Sequence, residues 1–182
     1  PGTYSYNLDY EWRDYFRSTP AHNTITVDGL NQSEINDRMS WKTFAHSRCN
    51  LWLTTDQFDI VDGEHDGYLR LDDPVKHRRI IFSNKNGSWT IIDLFTGRET
   101  HTFDYHLHLH PNCTLSGDVS KYHFGIHTPQ NNRMNVTLLD NDPEKLSVNI
   151  FQGDEETGLG WYSKNYGSKV PTTSIRARKQ AK

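Results

Sequence analysis

Cysteine and methionine are scarce in this 182-residue chain, with two of each. Cys49 and Cys113 lack the spacing of a metal-binding pair and are too few for a disulfide scaffold. They could form one bridge in an oxidising compartment. No apolar run approaches the ~20 residues of a membrane-spanning helix, and mean hydropathy is -0.84. Pro1 opens straight into turn chemistry, without the basic region and apolar stretch of a signal peptide. Neither sign of charge dominates: Lys and Arg number 20, Asp and Glu 23, and the net charge is -3. That excludes the strongly basic footprint of electrostatic nucleic-acid binding. Gly-rich phosphate loops and the G-x-S-x-G nucleophile turn are absent. A sustained helical period over ten or more residues is absent too.

What is present is a period of two. Aromatics make up 12% of the chain, with five Trp, enough for the core of one domain. Thr24–Val27 alternates and meets Asp28-Gly29, a turn signal. Leu51–Thr55 and Phe58–Val61 read as strands, the second ending at Asp62-Gly63. Arg79–Ser83 and Trp89–Leu94 flank Asn84-Lys85-Asn86-Gly87 and predict a hairpin. Phe103–Leu109, Tyr122–Ile126, Met134–Leu138 and Leu146–Phe151 predict further strands. Many short strands between turns predict an all-β fold, an antiparallel two-sheet β-sandwich formed by residues 1–182 as a single domain. Ser174–Arg178 alternates like the start of a strand with no partner after it, and the chain opens without an initiator Met. The domain therefore reads as truncated at both ends. Arg176, Arg178, Lys179 and Lys182 read as a solvated tail or last strand rather than a polyanion site.

Three stretches carry a more specific signal. The first is Pro1-Gly2-Thr3-Tyr4-Ser5-Tyr6, followed by Glu11-Trp12-Arg13-Asp14-Tyr15-Phe16-Arg17-Ser18-Thr19-Pro20-Ala21-His22-Asn23-Thr24 and on to Gly29. The second is Glu64-His65-Asp66-Gly67-Tyr68 with Lys76-His77-Arg78-Arg79. The third is Gly160-Trp161-Tyr162-Ser163, Tyr166-Gly167 and Val170-Pro171. In order and spacing these resemble the β-sandwich of heparinase II/III-like polysaccharide lyases, over nearly the whole chain. The resemblance implies an upstream α-helical toroid and an acidic polysaccharide substrate held between toroid and sandwich. It also implies a bacterial protein, periplasmic or secreted. Such enzymes cleave uronic-acid polysaccharides by β-elimination. The uronate carboxylate must be neutralised, a base must take the C5 proton, and an acid must protonate the departing O4. The resemblance places most of those groups on the toroid, so the chain alone is expected to be inactive.

By the same resemblance, His22 of the Ala21-His22-Asn23-Thr24 motif is a ligand of a structural zinc, completed by a His and an Asp just upstream of Pro1. Taken alone, a single His before a strand reads as structural. Tyr15 and Arg17 are the catalytic candidates, because Tyr can exchange a proton and Arg can clamp a carboxylate. Arg13 and His65 are the substrate-binding candidates, with ordinary strand packing the plainer reading for the early residues and turn chemistry for His65. His106, His108 and His110 fall on one face of a strand, expected to be its polar outer face, with Leu107 and Leu109 facing the core. Asn86-Gly87-Ser88, Asn112-Cys113-Thr114 and Asn135-Val136-Thr137 are glycosylation sequons, incidental in a bacterial protein. The rival reading is a non-catalytic carbohydrate-binding or structural sandwich, to which the abundant Trp and Tyr are equally suited.

Overall fold

The computed structural model describes residues 2–37 and 39–182, so Pro1 of the opening motif lies outside the described residues. One helix, α1 (Tyr10–Arg17), precedes β1 (Ile25–Val27), β2 (Ser47–Thr54), β3 (Phe58–His65), β4 (Lys76–Asn84), β5 (Ser88–Thr96) and β6 (His101–His108). There follow β7 (Thr114–Asp118), β8 (His123–His127), β9 (Arg133–Thr137), β10 (Ser147–Gln152), β11 (Trp161–Tyr162), β12 (Val170–Pro171) and β13 (Thr173–Ala181). Every strand pairing is antiparallel, and the fold is all-β.

Contacts divide the chain into two compact units. The first comprises the residues up to Asn31, Ile35–Ser40 and His101–Ala181. It contains a four-stranded sheet ordered β1-β6-β13-β10 and a three-stranded sheet β7-β8-β9. These share one apolar cluster of Leu109, Val119, Phe124, Ile126 and Ile175, bordered by Leu107, Leu115, Val136 and Val148. This is the sandwich expected from a period of two. Ser174–Arg178, read in the sequence as the start of a strand with no partner after it, lies in β13, paired on both sides by earlier strands. Ile175 faces Leu107 of β6 and Ile150 of β10, both earlier in the chain. The second unit, Gln32–Glu34 with Trp41–Thr100, is built on a four-stranded meander ordered β2-β3-β4-β5.

The turn signals hold where the backbone needs them. Asp28 (φ 53°) and Gly29 (φ 71°) both sit in the left-handed region that Asp and Gly tolerate best. At Asp62-Gly63 the reading fails, because β3 runs on to His65 and turns only after it. Neither residue there takes a positive φ. Helix α1 also departs from the strand reading of Tyr15 and its neighbours. Asp9 caps it by accepting from the Trp12 N–H at 3.2 Å, and Glu11 and Arg17 match the helix dipole at opposite ends. Its eight residues fall short of the ten-residue period sought in the sequence, and Arg13 on its buried face interrupts the apolar stripe. Pro20 then limits its extension. Cys49 and Cys113 are free thiols.

Candidate functional site

In the first unit the opening loop is clamped from two sides. Gly2 (φ 105°) lies so near the Ser163 carbonyl that a Cβ there would sit 1.8 Å from the oxygen, a position only glycine fills. The Gly167 N–H donates to the Tyr4 carbonyl at 2.7 Å. From α1, Arg13 donates to the Ser5 carbonyl at 2.9 Å and lies 4.8 Å from the Tyr6 ring centroid. At 5% exposure it orders the loop and is shielded from a polysaccharide. Arg17 donates to the carbonyls of Asp37 at 2.7 Å and Ser40 at 3.0 Å, and lies 3.7 Å from Asp14. Its side chain is 9% exposed. The hydroxyl of Tyr15 is buried without a partner, and burial pushes the phenol well above its ordinary pKa. Its ring packs edge-on against Trp12 and Phe16. Both catalytic candidates are therefore packed inside this unit, and Tyr15 is poorly suited to act as a base in this geometry.

His22 closes the short turn Thr19–Ala21, its N–H donating to the Thr19 carbonyl at 3.1 Å. Partial loss of water lowers the imidazole pKa, with the nearby Phe16 backbone acting weakly the other way. A neutral imidazole can offer a ring nitrogen to a metal ion. His22 thus fits the donor chemistry of zinc. Among the described residues, however, no three His, Cys, Asp or Glu side chains converge to hold an ion.

The polar face of β6 and β13 is covered, not solvated. His106 is 3% exposed and lies 3.3 Å from the Thr26 hydroxyl. His108 Nε2 donates to the Pro20 carbonyl at 2.8 Å, so its Nδ1 accepts from Ser174 Oγ at 2.6 Å. Burial pushes both imidazoles down to about 4. The C-terminal cations are likewise engaged. Arg178 holds Asp104 with two bonds of 2.6 and 2.8 Å, Arg176 lies over the Phe151 ring, and Lys179 pairs with Asp140. Of the two readings, last strand holds and solvated tail fails, because β13 places these side chains opposite acids and aromatics that are distant in sequence. Leu107 and Leu109 face the core as expected.

In the second unit, His65 is the first member of a chain of hydrogen bonds across β3, β4 and β5. The Gly67 N–H donates to His65 Nδ1 at 3.1 Å, which puts the ring proton on Nε2. That nitrogen donates to His77 Nδ1 at 3.0 Å, and His77 Nε2 donates to Asp93 at 2.6 Å. Arg79 completes the network with bonds to Asp93 of 2.6 and 2.9 Å. Burial, then the neighbouring His77, lowers the His65 pKa to about 4. Burial raises the Asp93 pKa, but the bonds from His77 and Arg79 outweigh it and hold the carboxyl below its ordinary range. Both ring nitrogens of His65 are engaged, so neither is left for a substrate. Sequence reading missed His77 and Asp93 as its partners. The turn-centred β3–β4 register, with His65 opposite His77, was the signal that could have found the first.

The sequence profile described as heparinase II/III-like, C-terminal, matches residues 1–181. The chain belongs to this family. A heparin-sulfate lyase of Pedobacter heparinus is 23% identical over 141 residues, which span 78% of this chain and 19% of that protein. Among solved structures, a heparan sulfate lyase, HepC, from Pedobacter heparinus superimposes with a TM-score of 0.77 at 21% identity. It is covered over 25% of its length by all of this chain. A heparinase III, the BT4657 gene product, gives a TM-score of 0.73 at 21% identity, with all of this chain covering 27% of it. At such identities the structural likeness establishes the fold. The chain spans about a fifth to a quarter of these relatives, and it corresponds to the family's C-terminal part.

Proposed function

We propose that this chain is the β-sandwich portion of a bacterial polysaccharide lyase, periplasmic or secreted, that cleaves uronic-acid polysaccharides by β-elimination. It closes one side of the substrate cleft opposite a helical domain and braces that side through a zinc held partly by His22. Family membership over residues 1–181 is the observation that carries this reading. Supporting the brace, His22 is exposed between α1 and β1, and partial loss of water lowers its imidazole pKa, which favours the neutral form that ligates a metal. A zinc there would supply a structural cross-link, its other ligands a His and an Asp preceding Pro1. Arg13, Arg17 and Tyr15 order the segments around it and do not exchange protons with the sugar.

The test is lyase activity of the full-length protein on heparan sulfate, alginate and other uronates, followed by the absorbance of the unsaturated product. Product from at least one uronate, and none from residues 1–182 alone, is expected. Residues 1–182 cleaving by themselves, with activity abolished by a mutation within them, would overturn the division of labour. No product from any uronate by the full-length protein would favour the non-catalytic sandwich.

A further inference from the structure

Between the opening loop and the segment after β11 lies a concavity of about 270 Å³, lined by residues 2–6 and 163–166. Its walls are set before any ligand arrives. Gly2 admits no side chain against Ser163, Tyr4 (φ 66°) holds a backbone conformation rare outside glycine, and the Gly167 N–H ties the two walls together at 2.7 Å. Two tyrosines flank it with large open surfaces, Tyr6 at 55% and Tyr166 at 57% exposure, their rings stacked at 6.5 Å and 26°. Neither ring is loose: Arg13 lies against Tyr6, and the Tyr166 hydroxyl bonds Asn7. Rigid amphipathic rings left open in this way suit the apolar face of a sugar.

Two polar features point to what the concavity takes. Ser5 is 1% exposed, lines the cavity, and its hydroxyl has no partner. A buried unpartnered hydroxyl is costly and is relieved by a ligand or a water. Lys164 stands exposed in the lining and makes no ion pair among the described residues. No lining residue is acidic, so the only formal charge of the site is positive.

We propose that this concavity is a subsite for one acidic sugar residue of a glycan. The ring stacks on the Tyr6–Tyr166 pair, its anionic group meets Lys164, and a sugar hydroxyl partners Ser5 Oγ. Its volume, below the ~300 Å³ at which sites for drug-sized ligands begin, suits a single ring. The subsite deepens the reading of the chain as part of a uronate lyase and rests on it for its substrate class.

The test is binding of tetrasaccharides to the 182-residue chain by calorimetry or amide-shift titration. Three probes separate the chemistry: a heparan sulfate fragment with sulfate and carboxylate, an alginate fragment with carboxylate alone, and a neutral cello-oligosaccharide. Wild type should bind at least one acidic probe in preference to the neutral one. Tyr166→Ala and Lys164→Gln should each weaken the acidic probe about 10-fold, and only Lys164→Gln should also flatten the salt dependence. Trp89→Ala, in a different exposed strand, should leave binding unchanged. All variants are checked for an unchanged melting temperature, and Tyr166→Phe should retain most of the stacking. Wild-type affinity in both cavity variants, loss in Trp89→Ala instead, or no acidic probe bound at millimolar concentration would overturn the subsite. Inactivity of the full-length protein on every uronate, with cavity-dependent binding intact, would overturn the lyase reading and leave the subsite standing.

Discussion

In the first unit Phe124, Ile126 and Ile175 are almost wholly buried in one apolar cluster, whereas in the second only Tyr68 and Val75 are buried hydrophobics among the described residues. The second unit leaves Trp52 at 72% and Trp89 at 66% exposure. What its sheet has instead is a row of polar bonds across the strands, His65 to His77 to Asp93 to Arg79, with Arg78 on Asp62 and Lys76 on Glu64 beside it. The same period of two thus builds an apolar core in one unit and a polar-braced sheet in the other. A polar network with a low-pKa histidine at its head is sensitive to acid.

The largest effect that separates the units is expected from Phe124→Ala. Removing a ring from a packed cluster should cost ~3–5 kcal/mol, read as a lowered urea midpoint. Hydrogen exchange should show the loss in β7 to β9 and β13 while β3 to β5 keep their protection. Equal loss in both units would mean that they unfold as one and that the difference in their cores has no energetic meaning.

Asp93→Ala should come next. It leaves Arg79 and His77 without their carboxylate in a largely buried position, at a cost on the order of 3 kcal/mol. The effect should concentrate in β3 to β5. A cost below that of an average surface change would demote the network to decoration.

Acid should act on both units through histidines. His65 in one, and His106 and His108 in the other, have folded pKa values of about 4, below the ~6.5 of the unfolded chain. The unfolded state therefore binds more protons between these values. This stability is complete above pH ~6.5 and falls as pH drops toward 4, by at most ~1.4 kcal/mol per pH unit for each histidine. His65→Gln should flatten the acid slope of exchange protection in β3 to β5 alone. An unchanged slope there would show that His65 is already protonated in the folded state.

Trp89→Ala should have the smallest effect, within ~0.5 kcal/mol, because the side chain is mostly in solvent. A loss of several times that would reveal a partner for the uncovered sheet.

Much of the fold was legible because alternation and turn chemistry act locally. The hairpin around residues 84–87 and the core-facing Leu107 and Leu109 follow from those rules alone. What was not legible depended on pairing between distant residues. The burial of His106 and His108 comes from Thr26, Pro20 and Ser174, and the engagement of Arg178 comes from Asp104, 74 residues away. Helix α1 was hidden by its shortness and by a buried Arg in its apolar stripe. Of the candidate site, the conspicuous residues His22 and His65 were visible, while the open Tyr6–Tyr166 pair carries no pattern in the sequence, since its members lie 160 residues apart.

His22 links this chain most directly to the proposed lyase. In residues 1–182 alone, His22→Ala should change stability little, since the residue is exposed. In the full-length protein the same substitution removes a metal ligand and strands its partners, so zinc should be lost and stability should fall by several kcal/mol. Metal content and melting temperature of full-length wild type and His22→Ala, compared side by side, decide the matter. Near-stoichiometric zinc in wild type, with depleted metal and a lower melting temperature in the variant, is the expected result. Equal zinc and equal melting temperatures in the two would contradict it.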